Sequence, residues 1–263
     1  KASRKSGSGQ CGSGFRPSLI PLPDRRVGST FNRLVGEFAS VRVGSADVSF
    51  SIVTDAVSFL MNSRGETRAD QPPVAIGGLV GPRDYCYRPD LAPSADEAEA
   101  FHRPQIEELA GTVIDFLQAQ TLPSVVEATG MARAMSRTGK DYLISFCTGT
   151  DGRVLDGTPL PEAMARLDAS VEPGDRPLGY FVNCTHPSFI LSAYQPGELD
   201  RLIGIQANGS SRDVTQLDGA PATVADPLGE WTDSMLKLHH EHRVPILGGF
   251  CGTRSCHLEA LAR

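Results

Sequence analysis

The chain contains no run of about 18 apolar residues, the length that crosses a bilayer as a helix, so no membrane partner is expected. Its most apolar stretch, Val74–Val80, is only strand-sized. Positive charge is scarce as well. Lys and Arg number 25 against 31 Asp and Glu, for a net charge of −6, whereas a nucleic-acid binder wants a basic stripe. Cysteine is too sparse for a disulfide scaffold, with six in 263 residues and no CxxC pair. That usage suits a reducing, cytoplasmic setting. The Asn-x-Ser/Thr sequons at Asn183 and Asn208 then read as chance. The first 16 residues, KASRKSGSGQCGSGFR, lack both acid and an apolar core, so they are not a secretory signal. Gly7, Gly9 and Gly12 match GxGxxG there, but no strand precedes them and no helix follows. Residues 1–17 are expected to be a flexible basic Ser/Gly-rich tail holding Cys11, and 18–263 one domain.

What is present is a rhythm. From about residue 70, apolar runs alternate with helical patterns. The spacing predicts strands at Val74–Val80, Val113–Ala119, Tyr142–Cys147, Leu178–Val182, Leu202–Gln206 and Ile246–Gly248. Between them it predicts helices from Ser94 (a capping box with Glu97) to Ala110, and at Ser124–Ser136, Pro161–Asp168, Gly229–His242 and from His257. A broken helical stretch ends at Pro196. Near-continuous apolar strands are buried on both faces, which means a parallel sheet covered by helices. A seventh unit is expected at Ala46–Val53 and Asp55–Met61, and an eighth within 18–45. Six to eight such repeats predict an α/β fold, a (β/α)8 TIM-type barrel with a degenerate first strand region, over an open doubly wound sheet.

In such a barrel the chemistry gathers where strands end. Three cysteines fall there, Cys147, Cys184 and Cys251, and converging thiolates suit Zn²⁺. Around them lie VNCTHP at 182–187, LGGFCGTRSCHLEALA at 247–262, RLIGIQANGS, GGLVGPRDYCYRP, FHRPQIEELA and TLPSVVEATGMARA. On these segments the sequence over 72–263 resembles the homocysteine S-methyltransferase family. The resemblance implies a (β/α)8 barrel with a catalytic zinc held by three cysteines, one from the Asn-Cys turn and two from a Cys pair in the Gly-Gly turn. The substrate's thiol is the fourth ligand. It implies methyl transfer from a small activated donor to homocysteine, giving methionine. Users of betaine, S-methylmethionine and methylfolate share these turns.

The resemblance makes Cys184 and Cys251 the metal ligands; the alternative for each is a small buried residue. Phe250 stands where the family has the first cysteine of its pair. Cys256, five residues beyond Cys251, is a candidate third thiolate. Gln120 occupies the place of a glutamate that binds the substrate's amino group in many members. The Asp-Gly-Gly motif of the first strand is absent. Asn183, Gln120, Glu127, Gly248 and Gly249 are the candidate substrate-binding residues, with Glu127 also readable as a helix-face carboxylate. Asp84 and Tyr85 are candidates for donor binding. His257 is expected to hydrogen-bond the turn at a helix start, His239, His240 and His242 to face solvent, and Cys86 and Cys147 to be packing residues. Loss of a thiolate leaves a second reading open, a divergent non-catalytic member that binds a small molecule or metal. An unrelated Schiff-base lyase finds no support, since Lys140 precedes its strand.

Overall fold

The computed structural model describes residues 50–65, 74–217, 222 and 224–263. Six strands form one parallel sheet in chain order: β1 (Gly77–Val80), β2 (Phe116–Leu122), β3 (Tyr142–Cys147), β4 (Gly179–Thr185), β5 (Leu202–Ala207) and β6 (Ile246–Gly249). Helices α1 (Phe50–Gly65), α2 (Ala95–Ala110), α3 (Val125–Ser136), α4 (Leu160–Asp168), α5 (Pro187–Ala193), α6 (Val214–Leu217), α7 (Leu228–His242) and α8 (Ser255–Leu261) connect or flank them. The described sheet is thus the wall of a half-barrel, α/β as expected, with six strands rather than eight. The 1–17 tail and the eighth unit lie outside the described residues.

Two-residue periodicity sorts each strand into two faces. One face packs under the helices: Val80, Leu117, Ala119, Ile144, Phe146, Tyr180, Val182 and Ile205 meet Ile106, Met131, Leu167 and Trp231 in the main core. The other face begins apolar, with Phe116, Leu143, Phe181 and Ile203 forming a second cluster near the strand starts. Two residues further on it turns polar, with Gln118 after Phe116, Ser145 after Leu143 and Asn183 after Phe181. The next step reaches Gln120 and Cys147. The apolar layer is a floor, and the polar layer and thiols stand above it at the strand ends.

Several sequence expectations are corrected. The strand expected at Val113–Ala119 runs instead from Phe116 to Leu122. Val113 is 65% exposed, while Phe116 fits beneath Gly77, where a Cβ would come within 2.5 Å of its ring. A missing side chain on β1 therefore sets the register of β2. The strand of the seventh unit is not seen either: Phe50–Val53 are the opening turn of α1, and 46–49 lie outside the described residues. Of the three histidines near the end of α7, only His240 is exposed. His242 is buried, and His239 Nδ1 meets the Val244 carbonyl at 3.0 Å.

Candidate functional site

The centre of the site is the end of β4. Asn183 is buried and both its amide atoms are engaged. Oδ1 accepts from the Thr121 backbone N–H at 2.9 Å and from Ser145 Oγ at 2.6 Å, and Nδ2 donates to Thr121 Oγ1 at 2.7 Å. Thr121 has φ 60° and the next residue on β4, Cys184, has φ 51°. Left-handed backbone costs a non-glycine residue about 1–3 kcal/mol and survives only where its surroundings over-determine it. Here the Asn183 amide supplies the constraint for Thr121. Both residues also mark register breaks in the β2–β3 and β4–β5 ladders.

The bend at Cys184 aims its thiol at its neighbours. Cys184 is 2% exposed; Cys147 Sγ meets its backbone carbonyl at 3.9 Å, and the thiols of Cys147 and Cys251 lie near enough to shift its pKa. Tyr87 Oη donates to the same sulfur at 3.4 Å. The contact with Cys147, together with burial, pushes the Cys184 thiol well above its ordinary range, against the opposing pull of Cys251 and Tyr87. Cys251, exposed in the turn after β6, is also pushed up, first by Cys184 and then by burial. Tyr87, Leu155 and Phe250 pack around Cys147, Cys184 and Val214. The structure therefore joins two residues singled out in sequence, Cys184 and Cys251. Cys147, a strand-end thiol also read as a packing residue, is buried in the same cluster, and Tyr87 is the addition that the sequence did not single out.

Cys256 stands in the opening turn of α8 with Sγ 3.7 Å from His257 Nδ1. That same ring nitrogen accepts from the Arg254 backbone N–H at 3.1 Å, so His257 serves the turn as expected. His186, after β4, accepts from Ser188 N–H through Nδ1 at 3.3 Å and turns Nε2 toward Asp226 at 3.5 Å. Burial lowers its pKa against that carboxylate. Gln120 Nε2 donates to Gln206 Oε1 at 2.5 Å, which ties β2 to β5 across the polar layer. Gln118, one layer down, is buried with neither amide atom paired. Of the glycines at the end of β6, Gly249 has no room for a Cβ against Thr253, whereas one at Gly248 would find ordinary contacts at 3.5 Å.

Glu127 is corrected as a helix-face carboxylate. It is 1% exposed, and Oε1 accepts from the Arg83 backbone N–H at 2.6 Å and from His102 Nε2 at 2.9 Å. The carboxylate is turned toward the loop after β1, not outward from α3. Asp84, in that loop, pairs with Arg83 at 2.9 Å on the surface, and Tyr85 packs edge-on against Tyr87.

Zinc chemistry can be tested against these donors. Thiols are the soft ligands zinc takes, and Cys184 and Cys251 lie near enough to shift each other's pKa, so donor type and neighbourhood fit. The donor count stays below the three protein ligands of a catalytic site. Among the described residues, no three His, Cys, Asp or Glu side chains stand as a ready metal cradle. No described helix is long and apolar enough to cross a membrane.

Comparison with known proteins points the same way as the turns around the thiols. The sequence profile of homocysteine S-methyltransferase matches residues 29–263. Homocysteine S-methyltransferase YbgG of Bacillus subtilis is 26% identical over 226 residues, 82% of this chain and 69% of that protein. The Escherichia coli homocysteine S-methyltransferase is 28% identical over 129 residues, covering 45% of this chain and 42% of that protein. Homocysteine S-methyltransferase 4 of Zea mays is 27% identical, covering 75% of this chain and 60% of that protein. The chain thus spans well under two thirds of the last two. In fold it is similar to the metallated E. coli homocysteine methyltransferase MmuM, with a TM-score of 0.57 at 23% identity over 81% of this chain and 70% of that one. With the profile matching residues 29–263, a range that takes in every described residue, the chain belongs to the homocysteine S-methyltransferase family.

Proposed function

We propose that this chain transfers a methyl group from a small activated donor to the thiol of homocysteine, giving methionine, with Zn²⁺ held by Cys184 and Cys251. One observation carries the reading. Two cysteines from the ends of β4 and β6, far apart in sequence, lie near enough for each to shift the other's thiol pKa. A free thiol with a pKa of ~8.5 is mostly protonated at neutral pH, and only the thiolate attacks a methyl group well. When bound, zinc keeps a substrate thiol deprotonated while one coordination position stays open to it.

The chain's own residues do the rest. Tyr87 donates to the Cys184 sulfur and holds it in place. Asn183 fixes the bent backbone of β2 beside it. Gln120 and Gln206 present amides along the inner wall, and Gly248 and Gly249 keep the β6 end low. Gln120, Gly248 and Gly249 are the proposed substrate-facing set, with homocysteine and the donor as small-molecule partners, while buried Asn183 orients the turn.

A second reading is favoured by Phe250, which packs against the Cys147–Cys184 cluster where a third thiolate would be useful. Under it the chain is a divergent member that binds a small molecule without zinc turnover. Zinc content per chain, paired with methyl transfer to homocysteine, separates the two. The catalytic reading expects stoichiometric zinc that is lost in Cys184→Ala and Cys251→Ala. Phe250→Cys is expected to tighten it, because each added thiolate offsets charge. Loss of metal on Cys256→Ala or His257→Ala, with no effect of Phe250→Cys, assigns the third ligand to the α8 turn instead. A parent chain that takes up no zinc and transfers no methyl leaves the second reading standing.

A further inference from the structure

We infer that Glu127 is a positioning residue for the thiol site. With His102 it clamps the root of the loop after β1, so that the loop delivers Tyr87 onto Cys184.

The case begins with the cost of the arrangement. A carboxylate and an imidazole, each 1% exposed, face one another between α2 and α3. Burying a carboxylate costs several kcal/mol unless hydrogen bonds offset it. Placement at the start of α3 recovers part of that, because the positive end of the helix dipole lies there. The remaining stabilisation comes from the two donors on Oε1. An ionised carboxylate only accepts, so His102 carries its proton on Nε2, and Nδ1 is left buried without a partner. His102 thus uses one nitrogen to hold Glu127 and gains nothing with the other. The pair is shaped around its third member, the Arg83 backbone N–H at 2.6 Å.

That third member opens the loop that matters. The chain leaves β1 at Val80, is pinned at Arg83, turns through the hydrogen bond from Arg88 N to Tyr85 O, and presents Tyr87 between them. The Tyr87 ring packs against the Cys147–Cys184 cluster and its hydroxyl reaches the Cys184 sulfur at 3.4 Å. Tyr85 braces that ring edge-on at 5.6 Å. The Arg83 guanidinium lies over the Phe101 ring at 6.0 Å, beside His102 on α2. The loop is therefore tied down at its root by buried charge and at its tip by a sulfur. Glu127 touches no thiol. It acts on Cys184 through Arg83 and Tyr87.

Its functional meaning rests on Cys184 as a working thiol, but the test reads the clamp directly. Site-resolved alkylation of the native chain with iodoacetamide reports how well Cys184 is covered. It is run with and without chelator, so that shielding by bound metal is read separately. Glu127→Ala is expected to raise Cys184 labelling about tenfold or more, as local opening does, while fully buried Cys147 stays at the parent rate. Glu127→Gln keeps an acceptor for both donors and is expected to stay within about twofold of the parent. Tyr87→Ala should match Glu127→Ala, and the double variant should add little, because the two act in series. The inference is overturned if Glu127→Ala leaves Cys184 at the parent rate. It is equally overturned if Cys147 rises in parallel, which marks general destabilisation, or if the two substitutions add in full. If Glu127→Ala does not fold, Glu127→Gln against Tyr87→Ala carries the comparison: Tyr87→Ala raising Cys184 labelling about tenfold with Glu127→Gln near the parent supports the clamp, and Tyr87→Ala at the parent rate, Glu127→Gln at the Tyr87→Ala rate, or a rise at Cys147 in either overturns it. Absence of methyl transfer by the parent chain would sink the proposed activity without touching any of these outcomes.

Discussion

Two helices of this chain open with the same four-residue pattern, Ser-x-x-Glu, and the structure uses it in opposite ways. At the start of α2, Ser94 and Glu97 close on each other. Ser94 Oγ accepts from Glu97 N–H, and the Glu97 carboxylate takes both the Ser94 N–H at 3.0 Å and its hydroxyl at 2.7 Å. At the start of α3, Ser124 caps only Val126 N–H, at 3.2 Å, and Glu127 turns away to Arg83 and His102. The first box is exposed, so water already satisfies whatever the box does not. The second lies between two closely packed helices, where Gly130 has no room for a Cβ against α2. A buried backbone N–H on the neighbouring loop is then the costlier group to leave unpaired. Local motif and burial together decide what a glutamate does; the motif alone does not.

The difference can be broken at its strong end first. Glu127→Ala removes the acceptor of two buried donors and is expected to destabilise by about 3 kcal/mol in urea unfolding, the cost of orphaning buried partners. A loss under about 1 kcal/mol would mean the loop re-forms without the clamp. His102→Ala comes next, at about 2 kcal/mol, because Arg83 N–H keeps its acceptor while a core imidazole is lost. Ser94→Ala is expected to cost about 1 kcal/mol, the ordinary value of an N-cap. Parity of Ser94→Ala with Glu127→Ala would erase the contrast between the two boxes.

The smallest effect is a titration. Glu97 is held below its ordinary range, first by the Ser94 hydroxyl and then by the Ser94 N–H. A folded pKa below the unfolded one contributes stability above the unfolded value of ~4.3, and that contribution fades as pH falls through the folded value. NMR titration should therefore find Glu97 low in the parent and raised toward ~4.3 in Ser94→Ala, which keeps only the backbone N–H, with no change on the alkaline side. A Glu97 that titrates alike in both would show that the box is open in solution.

Much of this was written where local pattern and burial agree. Tyr142–Cys147 and Leu202–Ala207 are apolar on both faces and flanked by turns, and they are strands as read. Ser94 and Glu97 announced their helix from four residues. Reading failed where a partner distant in sequence decides. Val113 looks like a strand residue, but the register of β2 is set by Gly77. Phe50–Val53 alternate like a strand and are helix. At the site, the family motifs pointed to Cys184 and Cys251, whose thiols lie near enough to shift each other's pKa. Cys147 is the buried packing residue that it was read as, in one cluster with Cys184. Glu127 looked like a helix-face acid because its partners lie on α2 and on the loop after β1. The Ser124–Glu127 spacing was the one available signal, and it names a cap, not a clamp.

The strictly sequential order of the sheet has a consequence for how the protein is made. Each strand pairs with the one synthesised just before it, so a chain emerging at about 5–20 residues per second can add wall by wall without waiting for a distant partner. The thiol pair is the exception. β4 presents Cys184 well before the β6 turn brings Cys251. A nascent chain therefore passes through a stage in which Cys184 stands beside Cys147 but without Cys251. During that interval Tyr87, already synthesised, is the group in place to shield Cys184.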